Sequence, residues 1–353
     1  MAISFIKKVN MLSYAGIKCL RNEYAHNECS LCIDICPENA LTMERGKYAI
    51  SEACTSCAGC LGSCPTEALT LENFDPNSFV LALTEKEDKS ISCKGSSECL
   101  GAFDTDHYVT MALKNETPVS CDLSHCATCE INKDNKLFDE IDGKITLANI
   151  YLEQLGLEQR LEKKLELDEE EKPSRFAMFK QAHGSVTEVA QEGATAMFAS
   201  EKSPIPLKTV MMKNALREKM RDIPNTVLKN SLLFTKQEID FDKCTNCQEC
   251  VTFCPTKAIF QTEDKQGLMF KGGDCIACGI CHDVCKDDAI KTSSEFDLVT
   301  MIYDRSEELV HYEMAKCLEC KCAYPYKGGE QICDRCAQFG DDHEGMFTLA
   351  RDM

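Results

Sequence analysis

Residues 244–259 read Cys-Thr-Asn-Cys-Gln-Glu-Cys-Val-Thr-Phe-Cys-Pro-Thr-Lys-Ala-Ile, a run with the spacing C-x2-C-x2-C-x3-C. The same spacing recurs over residues 54–64 and 275–285, and a clipped form that keeps three cysteines covers residues 29–36. In every copy the closing cysteine is followed four residues later by alanine, and then by leucine or isoleucine. Cysteines at tight, repeated spacing indicate metal binding rather than a disulfide scaffold. The sequence therefore predicts two pairs of metal-binding loops.

The spacing has a geometric reason. Three cysteines in C-x2-C-x2-C wrap around one face of a cluster, and the x3 step begins a helix that carries the fourth cysteine to the neighbouring cluster. The alanine that follows is expected to pack closely and to begin a short strand. In these features the chain resembles the bacterial 2[4Fe-4S] ferredoxin family and its multi-cluster relatives, the polyferredoxins. The resemblance covers residues 19–72 and 239–293 and implies that the two clusters of each pair exchange their closing cysteines.

The resemblance implies a set of four ligands for each cluster. In the second pair the two sets are Cys244, Cys247, Cys250 and Cys285, and Cys275, Cys278, Cys281 and Cys254. In the first pair, one set is Cys54, Cys57, Cys60 and Cys36. The last set has three evident members, which are Cys29, Cys32 and Cys64.

The fourth ligand of that last set is open, because His26 stands where the other runs have their first cysteine. Histidine replaces cysteine at some iron sites. Cys19 lies ten residues upstream of Cys29 and offers a thiolate, the softer and commoner cluster ligand. We favour Cys19; a three-cysteine [3Fe-4S] centre is the third alternative, and His26 is then an exposed loop residue. A second departure is Lys286, which replaces the proline of the other runs without removing Cys285.

A middle group of cysteines follows the first pair. Its strand–helix–strand order weakly resembles the thioredoxin-like [2Fe-2S] domains of hydrogenase and dehydrogenase electron chains. Three alternatives stay open for its four candidate ligands, namely a further Fe-S cluster, a zinc ion or free thiols. These candidates are Cys93, Cys99, Cys126 and Cys129. Cys121, after Val119 and Ser120, is expected to be a buried structural thiol.

Two C-x2-C knuckles near the C-terminus predict a tetrahedral S4 site on facing turns, the zinc-ribbon pattern. The four ligands are Cys317, Cys320, Cys333 and Cys336. Rubredoxin iron uses a similar spacing, but its knuckles resemble C-x2-C-G, and this chain has Lys321 and Ala337 at those positions. Structural zinc is therefore favoured over redox iron, and Cys322 is a spare thiol.

Composition limits the function. The 353 residues include 26 cysteines and carry a formal net charge of −19, which argues against a nucleic-acid partner. Neither a secretory leader nor an apolar stretch of about 18 residues is evident, so we expect a cytoplasmic protein with no membrane span. Residues 207–221 form a local basic stretch, interpreted either as a solvated helix face or as a docking segment for an acidic partner. The dinucleotide fingerprint G-x-G-x-x-G is absent, so no flavin or NAD site is expected.

The predicted fold class is α+β, with five parts. They are a ferredoxin-like 2[4Fe-4S] module at 1–75, a small α/β cysteine module at 78–131, a helical linker or docking region at 132–238, a second ferredoxin-like module at 239–295 and a zinc-ribbon-like module at 296–353. We expect a non-enzymatic electron-transfer subunit or carrier that serves a dehydrogenase or hydrogenase catalytic subunit. Formate dehydrogenase is one such host. The alternatives are an accessory or maturation protein of such an enzyme, and a cysteine-based redox sensor.

Overall fold

The structure is a computed structural model that describes residues 12–132, 134–166, 204–229, 231 and 233–342. Residues 167–203 of the predicted linker lie outside the described residues, as do the first eleven residues and residues 343–353. Within the described part, helices and strands are mixed and short. No described helix combines the length and the apolar character of a membrane span.

The N-terminal part has two pseudo-symmetric halves. Strands β1 and β4 pair in antiparallel fashion, with Leu12 opposite Leu71, while β2 and β3 form a hairpin. Arg45 and Gly46 turn that hairpin, both with positive φ, as a two-residue hairpin loop of the I′ type requires. Its elements are β1 (Leu12–Tyr14), α1 (Leu20–Glu23), α2 (Leu31–Asp34), β2 (Leu41–Glu44), β3 (Lys47–Ile50) and β4 (Leu69–Leu71).

The middle part is built on a sheet of three parallel strands in the order β5-β6-β7. Helices cover it, as parallel sheets require because both of their faces are apolar. Cys121 lies in its central strand and is fully buried, as predicted. The elements are α3 (Pro76–Leu83), β5 (Ser90–Ser92), α4 (Thr105–Lys114), β6 (Val119–Asp122), α5 (Lys136–Gln154) and β7 (Leu161–Lys164).

The described parts of the predicted linker are folded into the main core. Ile145 on α5 and Leu216 on the next described helix are buried in the same cluster as Tyr108 of α4. The apolar spacing of residues 145–157 thus produces a buried stripe rather than an exposed connection. Residue 131 is the predicted end of the middle module. Side chains from before and after it therefore share one hydrophobic core. This region adds α6 (Leu207–Lys219) and β8 (Val227–Lys229).

The second cysteine-rich part repeats the arrangement of the first. Strands β9 and β12 pair in antiparallel fashion, and β10 and β11 form a hairpin that β14 extends. β13 pairs with β8, and the helix after β13 contributes Leu298 to the main core. The elements are β9 (Lys236–Ile239), α7 (Glu249–Thr252), β10 (Ile259–Gln261), β11 (Gly267–Phe270), α8 (Ile280–Asp283), β12 (Ile290–Ser293), β13 (Glu295–Asp297), α9 (Leu298–Ile302) and β14 (Glu307–His311).

The two cysteine-rich parts contact each other directly. Leu20 is buried in the hydrophobic cluster of the second part, and Tyr24 and Cys29 pack against that cluster. The rings of Tyr24 and Phe253 meet edge to face, with centroids 5.1 Å apart. The first pair of loops therefore lies against the second through apolar contacts.

The chain then forms a hairpin followed by a helix. Strands β15 (Glu313–Lys316) and β16 (Ala323–Tyr326) pair in antiparallel fashion, and α10 (Asp334–Asp342) follows. Among the described residues, three buried side chains form its small core, those of Cys317, Tyr324 and Cys333. Because such a core is too small to stabilise a fold alone, this part is of the kind that metal ligation stabilises.

Candidate metal centres

The turn after each closing cysteine is the same in all four copies. In each copy, the residue before the alanine of the repeat has a left-handed φ between 47° and 56°. These residues are Asn39, Glu67, Lys257 and Asp288. The alanine itself is 1–2% exposed in every copy, and the next residue begins a strand. A larger side chain has no room at this position, which explains the alanine in the repeat. The expected close packing and strand start are confirmed.

In three of the four copies, that turn also points a backbone amide at the cysteine sulfur. The amide of Ala40 donates to Sγ of Cys36 at 3.3 Å, and the amide of Ala68 donates to Sγ of Cys64 at 3.2 Å. Ala289 does the same for Cys285 at 3.2 Å. Hydrogen bonds to sulfur stabilise the thiolate and tune an attached cluster. The sequence pattern marked the alanines, but it did not predict this role for their amides.

Four cysteines of the second pair surround one cavity of about 140 Å³, which is also lined by Phe270 and Ile276. Burial raises the pKa of the Cys278 thiol to about 11, and two neighbouring thiols raise it further. Cationic iron can supply the charge that such buried thiolates need. The four cysteines around the cavity are Cys254, Cys275, Cys278 and Cys281.

The other set of the second pair also comes together across the two runs. Burial raises the pKa of Cys250 to about 12. Three neighbouring thiols add to this rise, those of Cys244, Cys247 and Cys285. Lys286, which replaces proline, is exposed and pairs with Glu249 at 3.8 Å. The substitution therefore leaves Cys285 in its place.

The corresponding set in the first pair is likewise assembled from both runs. Burial raises the pKa of Cys60, as do the neighbouring thiols. In order of effect these are Cys57, then Cys32 of the neighbouring set, and then Cys36 and Cys54. This donor set of four thiolates fits a [4Fe-4S] cluster.

Cys19, not His26, lies with the last set. A second cavity is lined by Cys19, Cys29, Cys32 and Cys64. Burial raises the pKa of Cys32 to about 11, and Cys19 is among the neighbours that add to the rise. His26 is exposed and stands edge to face with Tyr24, at a centroid distance of 5.4 Å. The geometry thus favours Cys19 as the fourth thiolate.

The shape of the loop explains why His26 is not in position. In the three complete runs, positive-φ residues flank the second cysteine, for example Asn246 and Gln248 around Cys247. In the clipped run, Ser30 has φ −129° instead. The clipped loop therefore does not wrap as the others do, and α1 brings Cys19 to the site from the N-terminal side.

The middle cysteines gather at one edge of the parallel sheet. Cys93 directly follows β5, and Cys126 follows β6 by four residues, so both lie beyond the carboxyl ends of adjacent strands. Cys99 is half-buried and packs against the main core, whereas Cys93 and Cys129 are exposed. Burial, the thiols of Cys93 and Cys129 and the carboxylate of Asp122 together raise the pKa of Cys126 to about 11. Among the described residues these sulfurs are not all within 4.8 Å of one another, unlike the C-terminal quartet.

The C-terminal quartet is compact. The sulfurs of Cys317, Cys320, Cys333 and Cys336 all lie within 4.8 Å of one another. Cys320 and Cys333 are 3.7 Å apart, and tetrahedral zinc with bonds of about 2.3 Å holds its sulfurs about 3.8 Å apart. The donor set therefore fits one zinc ion.

The surroundings of this quartet differ from the predicted pair of facing turns. The first knuckle occupies the β15–β16 turn, but Cys333 immediately precedes α10 and Cys336 lies in its first turn. Burial opposes the thiolate of Cys317, yet the amides of Cys333, Cys320 and Glu319 lower its pKa to about 6. Cys322 is exposed and outside the quartet, as predicted.

Two lysines of the basic stretch at 207–221, Lys208 and Lys213, are neither solvated nor free to dock a partner. The side chains of Lys208 and Lys213 are 3% and 5% exposed. Their acidic partners lie far away in sequence, at Asp104 for Lys208 and at Asp274 for Lys213. Both interpretations were wrong for these residues, because the charge pattern of one helix does not reveal distant carboxylates.

Comparison with known proteins finds similarity over part of this chain. A family model described as a 4Fe-4S dicluster domain matches residues 233–290. A ferredoxin of Methanothermococcus thermolithotrophicus is 43% identical over 54 residues, which cover 15% of this chain and 88% of that ferredoxin. The chain belongs to the ferredoxin-type [4Fe-4S] family. It is thus an iron–sulfur protein of an electron-transfer family.

Two other relatives are larger than the matched region. The ferredoxin-type protein NapH of Haemophilus influenzae is 36% identical over 63 residues, covering 17% of this chain and 22% of NapH. The pyruvate synthase subunit PorD of Thermotoga maritima is 34% identical over 62 residues, covering 17% of this chain and 59% of PorD. This chain therefore spans about a fifth of that NapH and over half of that PorD.

Proposed function

We propose that this ferredoxin-type protein is an electron-transfer subunit that holds four [4Fe-4S] clusters and passes single electrons between an oxidoreductase and an acceptor. Bound clusters of this kind take up and release one electron each. The observation that carries the proposal is the direct contact of the two cysteine-rich parts through Tyr24 and Phe253. Two ferredoxin-like modules that pack together in one chain suit a connected series of centres better than two independent carriers.

The residues have simple roles in this proposal. Sixteen cysteines hold the clusters, in the four sets Cys19/Cys29/Cys32/Cys64, Cys36/Cys54/Cys57/Cys60, Cys244/Cys247/Cys250/Cys285 and Cys254/Cys275/Cys278/Cys281. Buried apolar side chains such as Ile35, Ile280 and Val284 exclude water from them. The chain needs no acid, base or nucleophile for this function, and we propose that it has no substrate chemistry of its own.

Two further centres belong to the proposal. One zinc ion at Cys317, Cys320, Cys333 and Cys336 stabilises the C-terminal hairpin and helix. The middle quartet, Cys93, Cys99, Cys126 and Cys129, holds a further Fe-S cluster rather than a single ion. Its wider sulfur spacing supports this choice, since a lone tetrahedral ion needs all four sulfurs close together.

The proposed host enzyme rests on the named role of one relative and on the net charge of this chain. PorD is by name a subunit of pyruvate synthase, so a similar module serves an oxidoreductase there. We propose a dehydrogenase or hydrogenase catalytic subunit as the partner, in the cytoplasm, with formate dehydrogenase as one host. The net charge of −19 suits a partner protein with a basic docking patch and disfavours nucleic acid as a partner.

Redox sensing is the second candidate function, favoured by the exposure of Cys93 and Cys129. A sensor needs reactive thiols, so alkylation of the holoprotein should label these two residues. If they bind a cluster, they stay unlabelled until the cluster is removed. An accessory role in maturation predicts that the clusters are reduced slowly or not at all within the isolated complex of this chain and its partner enzyme. An electron-transfer subunit predicts fast reduction there.

Metal analysis of the anaerobically purified protein, combined with EPR, tests the proposed function. We expect about sixteen cubane irons with matching sulfide, about one zinc, and about two more irons if the middle quartet holds a two-iron cluster. About twelve cubane irons without a [3Fe-4S] signal would mean that the Cys19 set holds no cluster. Zinc without iron would contradict the proposal.

A further inference from the structure

Helix α6 carries two buried lysines that reach the two cysteine-rich parts. Lys208 and Lys213 lie five residues apart on this helix, and both are almost fully enclosed. A buried ammonium group is costly unless carboxylates and hydrogen-bond acceptors surround it. What each lysine contacts therefore indicates why it is there.

Lys208 contacts the ligand loop of the first part. Its Nζ donates to the carbonyl oxygen of Cys64 at 2.8 Å and to Oδ2 of Asp104 at 2.5 Å. The side chain is 3% exposed, so the Asp104 carboxylate balances its charge inside the protein. The ammonium group is the end of this ion pair that contacts the cysteine.

Glu67 fixes the helix to the same loop. Its carboxylate accepts from the amides of Leu207 and Lys208, at 2.8 and 3.3 Å. A carboxylate at a helix N-terminus is favourable because it satisfies free amides and opposes the helix dipole. Since Glu67 is only three residues beyond Cys64, the start of α6 is tied directly to a cluster-ligand turn.

Lys213 makes the corresponding contact with the second part. Its Nζ donates to Oδ1 of Asp274 at 2.8 Å and also to Asp304. Asp274 immediately precedes Cys275. The approach is close, because a Cβ atom added at Gly273 would lie 3.1 Å from Nζ of Lys213 and would clash with the carbonyl oxygen of Met301.

We propose that Lys208 and Lys213 are positioning residues that raise the reduction potentials of the groups held by the Cys64 and Cys275 sets, so that one helix tunes a centre in each pair. The inference rests on the proposed electron-carrier function. Reduction adds one electron, and hence one negative charge, to a centre. A fixed ammonium group stabilises that added charge, and solvent screens the interaction little where both are buried.

The test is an EPR-monitored redox titration of the full-length holoprotein at mildly alkaline pH, where the carboxylates stay ionised. Lys208→Gln should shift the midpoint potential of one centre downward, and Lys213→Gln should shift that of a different centre downward. Asp104→Asn should shift the Lys208-sensitive centre upward, because it removes the negative partner. Lys114→Gln is the matched control, since Lys114 of α4 pairs at the surface with Glu218 of α6. It should shift neither midpoint potential.

The opposite signs separate electrostatic tuning from a purely structural role. If Lys208→Gln and Asp104→Asn shift the potential in the same direction, or shift nothing at wild-type iron content, the inference is overturned. Should Lys208→Gln fail to assemble, Lys208→Arg should keep the wild-type potential while Asp104→Asn still raises it. A wild-type protein without reducible centres would overturn the proposed function itself, before any variant is compared.

Discussion

The backbone amide of Ala289 donates a hydrogen bond of 3.2 Å to Sγ of Cys285. Asp288 makes this possible, because its left-handed φ of 48° turns the chain back toward the sulfur. The methyl group of Ala289 is meanwhile buried at 1% exposure. One alanine therefore serves two purposes, close packing and a hydrogen bond to a ligand.

Enlarging this alanine should weaken the site. Ala289→Val adds two methyl groups to a packed interior, and overpacking of this kind costs roughly 1–3 kcal/mol. The free energy of unfolding of the holoprotein should fall by that amount, followed by chemical denaturation and by loss of cluster absorbance. Ala49→Val is the matched control, because Ala49 lies exposed on β3 and should change little. Equal effects of both substitutions would contradict the close-packing explanation.

The fourth ligand of the clipped run can be tested with two substitutions. Cys19→Ser should remove about a quarter of the cubane iron, or leave a three-iron centre detectable by EPR. His26→Gln should leave iron content and spectra unchanged, because the imidazole is exposed and away from the cavity lined by Cys19. The reverse pattern would show that His26 is the ligand.

The C-terminal quartet predicts a zinc content that is set by its own four cysteines and not by the iron-binding cysteines. Cys336→Ser should lower the zinc content from about one ion per chain to none, because a structural site needs all four ligands. Cys322→Ser should retain zinc, since this neighbouring thiol is outside the quartet. Elemental analysis of both purified variants decides the matter. Loss of zinc from Cys322→Ser, or its retention in Cys336→Ser, is incompatible with this assignment.

His107 predicts a loss of stability on acidification. Burial lowers its pKa to about 4. Its Nδ1 accepts from the amide of Asp104 at 3.0 Å, and Nε2 faces Oδ1 of Asn77 at 3.1 Å, so the neutral form suits the site. An unfolded histidine titrates near 6.5 and therefore binds more protons between about pH 6.5 and 4. The contribution of His107 to the free energy of unfolding should be complete above about pH 6.5. It should be lost as the pH falls toward 4, by on the order of 3 kcal/mol at most.

His107→Gln should flatten that pH dependence. Glutamine can accept from the Asp104 amide as the helix-capping partner but does not titrate. His26→Gln, at an exposed position, is the control and should keep the wild-type slope. Denaturation curves of the three holoproteins across this pH range make the comparison. A slope in His107→Gln equal to the wild-type slope would assign the acid sensitivity to other groups.

Local spacing was sufficient for much of the fold and the sites. The resemblance carried by the repeated runs implied an exchange of closing cysteines, and Cys254 lines a cavity with Cys275, Cys278 and Cys281. The alanines predicted the strand starts, because packing next to a ligand turn is a local requirement. Ligand type also favoured Cys19 over His26 as the fourth ligand of the last set.

Long-range contacts could not be predicted in the same way. Lys208 and Asp104 are 104 residues apart in sequence, so the charge pattern of α6 suggested a solvated face or a docking segment although Lys208 and Lys213 are buried. Similarly, the apolar stripe of α5 predicted a helix but not the sheet against which it packs. The second C-terminal knuckle was expected on a turn, whereas Asp334 to Asp342 continues as a helix.

The proposed function requires four cubane clusters that each carry one electron. An anaerobic reductive titration of the purified holoprotein tests this, with the electrons taken up per chain counted against the loss of visible absorbance. We expect reversible uptake of about four electrons by the cubanes, and about one more if the middle quartet holds a cluster. Uptake of two or fewer at full iron content, or reduction that cannot be reversed, would contradict it.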